Sequence, residues 1–233
     1  MHVPLTLRTA ALGAITLTVV LGMISNLLFL AAFQFRFDWL AEPGPAVAAG
    51  AGSAATLRWA AVTDLFSYYL PTAVVAIALW VALRAEDEVI AAFATFAALA
   101  YVVAGSIGAA ALAMGGPLLL RAHAAPGADQ AAVGIVFATL VEVVWRGIWQ
   151  LIDLVFVGAW MCGIARLIRT FQPRFAQLTL ILAVLAWITA ALNVLGLALV
   201  RDLALGVLFV LLAAWSIWLG LLLWRRVAPF QRL

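Results

Sequence analysis

Six runs of about twenty or more predominantly apolar residues leave this chain few ways to fold. Lipid offers no hydrogen bonds, so a chain crossing it must pair every backbone amide and carbonyl internally, as helices or closed barrels do. A membrane strand needs only about 10 residues, whereas a helix needs about 20. Run length therefore predicts an all-α fold, a polytopic membrane helix bundle of six transmembrane helices. The spans are expected at about 9–33, 57–83, 89–114, 131–165, 176–200 and 203–224. Composition agrees: 68% of the 233 residues are apolar and 10% charged, with mean hydropathy +1.19. Soluble domains carry about 25% charged residues. No stretch has soluble composition, so residues 1–233 read as a single transmembrane domain. The run ending near Phe33 exceeds the roughly 7–15 apolar residues of a signal peptide and reads as the first span.

An even number of spans puts both termini on one side. That side carries eight arginines (Arg8, Arg84, Arg166, Arg169, Arg174, Arg225, Arg226 and Arg232). The other carries four (Arg36, Arg58, Arg121 and Arg201), which makes the termini cytoplasmic by the positive-inside rule. The segment Gln34–Thr56, punctuated by Glu42-Pro-Gly-Pro45 and Gly50-Ala-Gly-Ser53, reads as the one long loop. Met114-Gly-Gly-Pro117 is expected to end the third helix. Trp39, Trp59 and Trp224 fall at span ends, as interfacial anchors do. Ala100, Ala104 and Gly108, four apart on the third span, make a small-residue face suited to close packing within the bundle.

Charge inside the fourth span is the anomaly. Glu142, Arg146 and Asp153 would each cost about 2.5–3.5 kcal/mol facing lipid at mid-depth, or about 8 kcal/mol together. At about 100° per residue, Glu142, Arg146, Gln150 and Asp153 fall within an arc of about 80°, with Trp149 beside it. Such a stripe is expected to face the bundle, with Glu142 and Arg146 in i, i+4 register for an ion pair. Asn26, Arg58, Asp64, Ser106 and Asn193 add polar groups on other spans. If their faces converge, they line a pocket opening away from the termini. The acids outnumber the arginines in this set, and Asp153, the deepest, is the candidate proton-handling carboxyl.

Catalytic equipment is sparse. His2 and His123 sit at a terminus and in a loop, so intramembrane histidine ligation of zinc, iron or haem lacks ligands. Cys162 is the only cysteine and has no neighbouring base. No serine has an intramembrane histidine partner, and phosphate-loop and dinucleotide glycine patterns are absent. No metal or cofactor is expected. The net charge of +3 does not point to nucleic acid, because most of the arginines sit at span ends. Two readings stand. One is a non-enzymatic structural or accessory membrane subunit whose polar network ties helices together. The other is a small transporter or ligand receptor with an outward pocket, using Arg146 and acidic partners. Lipid, other membrane subunits, a second copy of the chain and a small ligand are the partners considered.

The opening of the second span, Leu57-Arg-Trp-Ala-Ala-Val-Thr-Asp64, with the long loop before it and the charged fourth span, resembles a family of bacterial six-helix membrane proteins of unknown function. The resemblance implies a bacterial plasma-membrane protein and carries no activity with it.

Overall fold

Short polar caps start several of the helices that the apolar runs then sustain. The computed structural model describes residues 6–233; His2 lies outside them. Thr6 Oγ1 accepts the Thr9 amide at 3.3 Å and opens α1, Leu7–Ala32. Asp87 Oδ1 accepts the Ile90 amide at 3.0 Å to open α3, Glu88–His123. Asp129 Oδ1 does the same for Ala132, at 3.0 Å, at the start of α4, Gln130–Ile168. Each cap satisfies one of the amides orphaned at a helix N-terminus. The other spans are α2 (Ala51–Leu83), α5 (Pro173–Val194), which starts with its proline at the first position, and α6 (Ala198–Trp224). All six are long and apolar enough to cross a membrane, and the described residues contain no strand. The protein is an all-α membrane helix bundle.

Two boundaries differ from the sequence expectation. Met114-Gly-Gly-Pro117 does not end α3, which runs on to His123. A Cβ built on Gly115 would lie 2.8 Å from Leu140 Cδ2, and one on Gly116 2.8 Å from Leu57 Cδ2. The glycine pair therefore lets α4 and α2 approach closely, and this packing holds the helix together past Pro117. At the other boundary, α5 stops at Val194 and does not continue to 200. Gly196 adopts φ +71°, and the Leu197 amide bonds back to the Leu192 carbonyl at 3.0 Å, the closure of a glycine-terminated helix. Residues 198–202 consequently belong to the first turn of α6.

Helix length divides the bundle into two levels. At 36 and 39 residues, α3 and α4 measure about 54 and 58 Å, well beyond the roughly 30 Å hydrocarbon core. Trp145 packs against Phe29 and Phe33 at the end of α1, with ring centroids 5.5 and 6.0 Å away. Asn193, in the last turn of α5, donates to the Arg146 carbonyl at 2.9 Å. Residues 130–144 thus project past the ends of α1 and α5. One apolar core, including Leu79, Met161, Phe175 and Leu219, lies toward the face carrying the termini. A second, including Phe29, Leu57, Leu112, Phe137 and Val141, lies toward the distal face.

The segment expected as a loop is largely structured. It holds a short helix, Phe37–Ala41, and a 3-10 helix, Gly44–Ala49, against the projecting part of α4, where Gly44 meets Ala138. Arg36 sits 4.5 Å over the Trp39 ring and pairs with Asp38 at 2.6 Å, which holds the Asp38 carboxyl below its usual range. Trp39 is buried, unlike the exposed Trp59 and Trp224, so it serves the distal core instead of anchoring to an interface.

Candidate functional site

A polar band separates the two apolar cores, and backbone irregularities in α2 and α4 build much of it. In α2, residues Leu65–Tyr69 form a wide turn in which the Leu70 amide bonds to the Leu65 carbonyl, i to i+5. Pro71 explains why an α-helical ladder fails there: it has no N–H to offer the Ser67 carbonyl. Thr72 Oγ1 donates to the Tyr68 carbonyl at 2.5 Å and satisfies part of the loosened backbone. In α4 the wide-turn segment covers Val143–Ile152 and closes with the Asp153 amide on the Ile148 carbonyl. Single wide turns inside α-helices occur often at functional sites.

These segments surround a cavity of about 700 Å³. Its walls come from α1 (Asn26, Phe29, Leu30), α2 (Asp64, Tyr68, Tyr69), Tyr101 of α3, α4 and α6, with Phe37 near the distal end. The α4 wall includes Trp145, Trp149, Gln150 and Asp153, and the α6 wall includes Asp202, Leu205, Gly206 and Phe209. Asp64 and Asp153 are buried, at 8% and 3% exposure. Ser25 Oγ lies 3.3 Å from Asp64 Oδ1 and 3.1 Å from the Ala60 carbonyl, and can donate to either. The Tyr69 hydroxyl donates to Asp153 Oδ2 at 3.0 Å, and Asn26 Nδ2 donates to the Tyr68 hydroxyl at 3.1 Å. Two buried acceptors on the wall, Asp153 Oδ1 and Gln150 Oε1, have no donor among the described residues. Buried polar atoms are nearly always paired, so Asp153 and Gln150 carry unmet hydrogen-bonding capacity beside the cavity.

The expected polar set divides into two groups. Asn26, Asp64, Trp149, Gln150 and Asp153 line the cavity, and the Trp149 indole also donates to the Gly105 carbonyl at 3.5 Å. Glu142 and Arg146 do form their i, i+4 pair, at 3.3 Å, but their side chains are 54% and 30% exposed and neither lines the cavity. The 80° arc fails because i to i+5 bonding takes more residues per turn than an α-helix. Each residue turns less than 100°, and over ten residues Glu142 falls out of phase with Asp153. Arg146 instead offers its carbonyl to Asn193. Arg58 is half-buried with its Nε unpaired, and Ser106 Oγ is likewise without a partner.

Sequence reasoning missed Arg201. Read as a loop residue, it is 1% exposed in the first turn of α6. Its Nε donates to Asp202 Oδ1 at 2.8 Å and its Nη1 to Asn193 Oδ1 at 3.3 Å, so Asn193 joins α4, α5 and α6. Gly196 was the available signal: placing the helix end there puts Arg201 and Asp202 inside the bundle. Tyr68, Tyr69, Tyr101 and Ser25 were also missed, since hydroxyls are uncharged, scattered along the spans and cheap to bury, and no periodicity marks those that meet a carboxylate.

Among the described residues, no group of three or more histidine, cysteine or carboxylate side chains could hold a metal ion. No curated protein and no solved structure matches the chain. Residues 13–226 match the model of a family described as "Domain of unknown function (DUF4386)", in accord with the resemblance seen in the second span, and the chain belongs to that family.

Proposed function

We propose that this protein is a non-enzymatic ligand-binding membrane protein, of receptor or transporter class, whose site is the cavity between α1, α2, α3, α4 and α6. The observation that carries this reading is a space of about 700 Å³ walled by two buried carboxylates, those of Asp64 and Asp153. Small-molecule sites occupy about 300–1,000 Å³, mostly apolar with a few convergent polar groups. Ionisable groups in membrane spans are costly enough to mark function by default. The setting we infer is a bacterial plasma membrane, with one transmembrane domain and cytoplasmic termini, so the distal end of the cavity faces outward.

A structural reading has its own support, at other residues. The chain of bonds through Arg146, Asn193, Arg201 and Asp202 ties three spans together. That network maintains the bundle, while the cavity beside it holds the ligand.

Thiol labelling tests the proposal. In a Cys162→Ser background, Leu208→Cys, buried at 4% exposure on the cavity wall, should react with N-ethylmaleimide in purified, detergent-solubilised protein. Ala183→Cys, at a fully buried packing position, should not. Equal resistance at both positions would mean that the space is closed to small molecules and would overturn the reading.

A further inference from the structure

We propose that the cavity takes an organic cation with an apolar body, such as an ammonium or phosphonium amphiphile; this names the ligand class of the site proposed above and rests on that reading. Among the described residues, three aspartates line the space, Asp64, Asp153 and Asp202, and no arginine or histidine does. The nearby cations are committed elsewhere. Arg201 pairs with Asp202 at 2.8 Å, and Arg146 pairs with Glu142 at 3.3 Å away from the wall. Asp64 and Asp153 therefore have no cationic partner among the described residues: the former meets a serine hydroxyl and the latter a tyrosine hydroxyl. A buried carboxylate without a cation favours a guest that brings positive charge.

The remaining walls select the kind of cation. Aromatic rings surround the carboxylates: Tyr69 and Tyr101 lie 5.1 Å apart, and Trp145 and Trp149 5.2 Å apart, with Phe29 edge-on to both indoles. Ring faces attract cations, and desolvated sites strengthen that attraction. Leu30, Leu205, Leu208 and Phe209 supply apolar surface that a hydrated metal ion could not use. A space of about 700 Å³ is far larger than an inorganic ion needs, and among the described residues the lining offers no cationic side chain to pair with the phosphate of a lipid headgroup.

Access is open from the side. Near the face carrying the termini, α1 and α6 meet closely, with Ile15 Cγ2 3.6 Å from a Cβ built on Gly220. Toward the distal face, the cavity lies between Asn26 and Leu30 of one helix and Leu205 and Phe209 of the other. Asn26, Gly206 and Phe209 are all exposed, so an amphiphile can enter between the two helices from the bilayer.

A matched pair of probes of opposite charge provides the test. Leu208→Cys, a buried position on the cavity wall, in the Cys162→Ser background and in the uncharged detergent dodecyl maltoside, is alkylated with or without tetraphenylphosphonium, tetraphenylborate or the anionic lipid dihexanoyl-phosphatidylglycerol. The phosphonium should slow alkylation in a saturable way, and its isosteric anion and the phospholipid should not. Asp153→Asn and Asp64→Asn should each weaken that protection about tenfold or more. Equal protection by tetraphenylborate would overturn charge selection, and equal protection by the phospholipid would reassign the site to lipid. Alkylation unaffected by any probe would overturn the cation proposal while leaving an open cavity. Only failure of Leu208→Cys to react at all removes the cavity itself. The comparison of the two ions needs no aspartate variant, so it holds even where those variants fold poorly.

Discussion

Arg201 and Glu142 show how burial, more than charge, sets what a residue contributes. Glu142 lies in the segment with the highest apparent insertion cost, yet its side chain is 54% exposed and its bond to Arg146 is a peripheral i, i+4 pair. Such pairs contribute about 0–1 kcal/mol. Glu142→Gln should therefore leave thermal stability in detergent within about 1 kcal/mol of the parent. Arg201→Ala removes a fully buried side chain, an ion pair and the bond to Asn193, and should cost about 2–4 kcal/mol. Thermal unfolding followed by size-exclusion chromatography measures both. A larger loss for Glu142→Gln than for Arg201→Ala would contradict this assignment. The Glu142–Arg146 spacing was legible in the sequence because i, i+4 register is local. Burial of Arg201 was not, because it depends on where α5 ends and on which helix covers the next turn.

Among the elements, contact between α2 and α3 shows how a backbone irregularity becomes a binding wall. Tyr69 follows the wide turn ahead of Pro71, and its ring lies against Gly105 so closely that any Cβ there would overlap it. The same ring carries the hydroxyl bonded to Asp153. Gly105→Ala should thus displace a buried ring and cost about 1–3 kcal/mol, the usual range for overpacking a core. It should also weaken binding of tetraphenylphosphonium, since the Asp153 bond moves with Tyr69. Gly158→Ala meets Trp187, which is 41% exposed and can move at the loss of one hydrogen bond, to the Val155 carbonyl, so its cost should be smaller. Equal losses in the two variants would argue against a rigid Tyr69. Small residues on α3 could be read from the sequence as a packing face, and Gly108 does meet Val144, Ile148 and Trp149 of α4. Which large side chain fills each gap could not be read, because the partner helix is far away in the chain.

For the whole molecule, length and apolarity decide the architecture while arginine placement suggests its orientation. Six spans with short connections return the chain to the side on which it began. With eight of twelve flanking arginines on that side, a fluorescent protein fused after residue 233 should fluoresce from the cytoplasm. Alkaline phosphatase fused after Ala125, in the turn between α3 and α4, should be active on the outer side. The reverse pattern in both fusions would invert the topology and turn the cavity toward the cytoplasm. The projection of α3 and α4 beyond α1 and α5 also changes the insertion problem. Glu142 and Arg146 lie at or beyond the ends of neighbouring spans, leaving Asp64, Gln150 and Asp153 as the buried polar groups along the cavity.

The sequence by itself determined the class of fold, the number of spans, the family and the presence of intramembrane charge. These follow from composition and run length, because lipid permits few ways to satisfy a backbone. Tertiary structure decided which polar groups meet. Two wide turns altered the angular phase of α2 and α4, and a glycine stop moved Arg201 into the bundle. Contacts from distant parts of the chain then grouped Asp64, Asp153 and the aromatic rings around one space. Helical phase can be read from local periodicity only while the turn stays regular, and here it changes at the site itself.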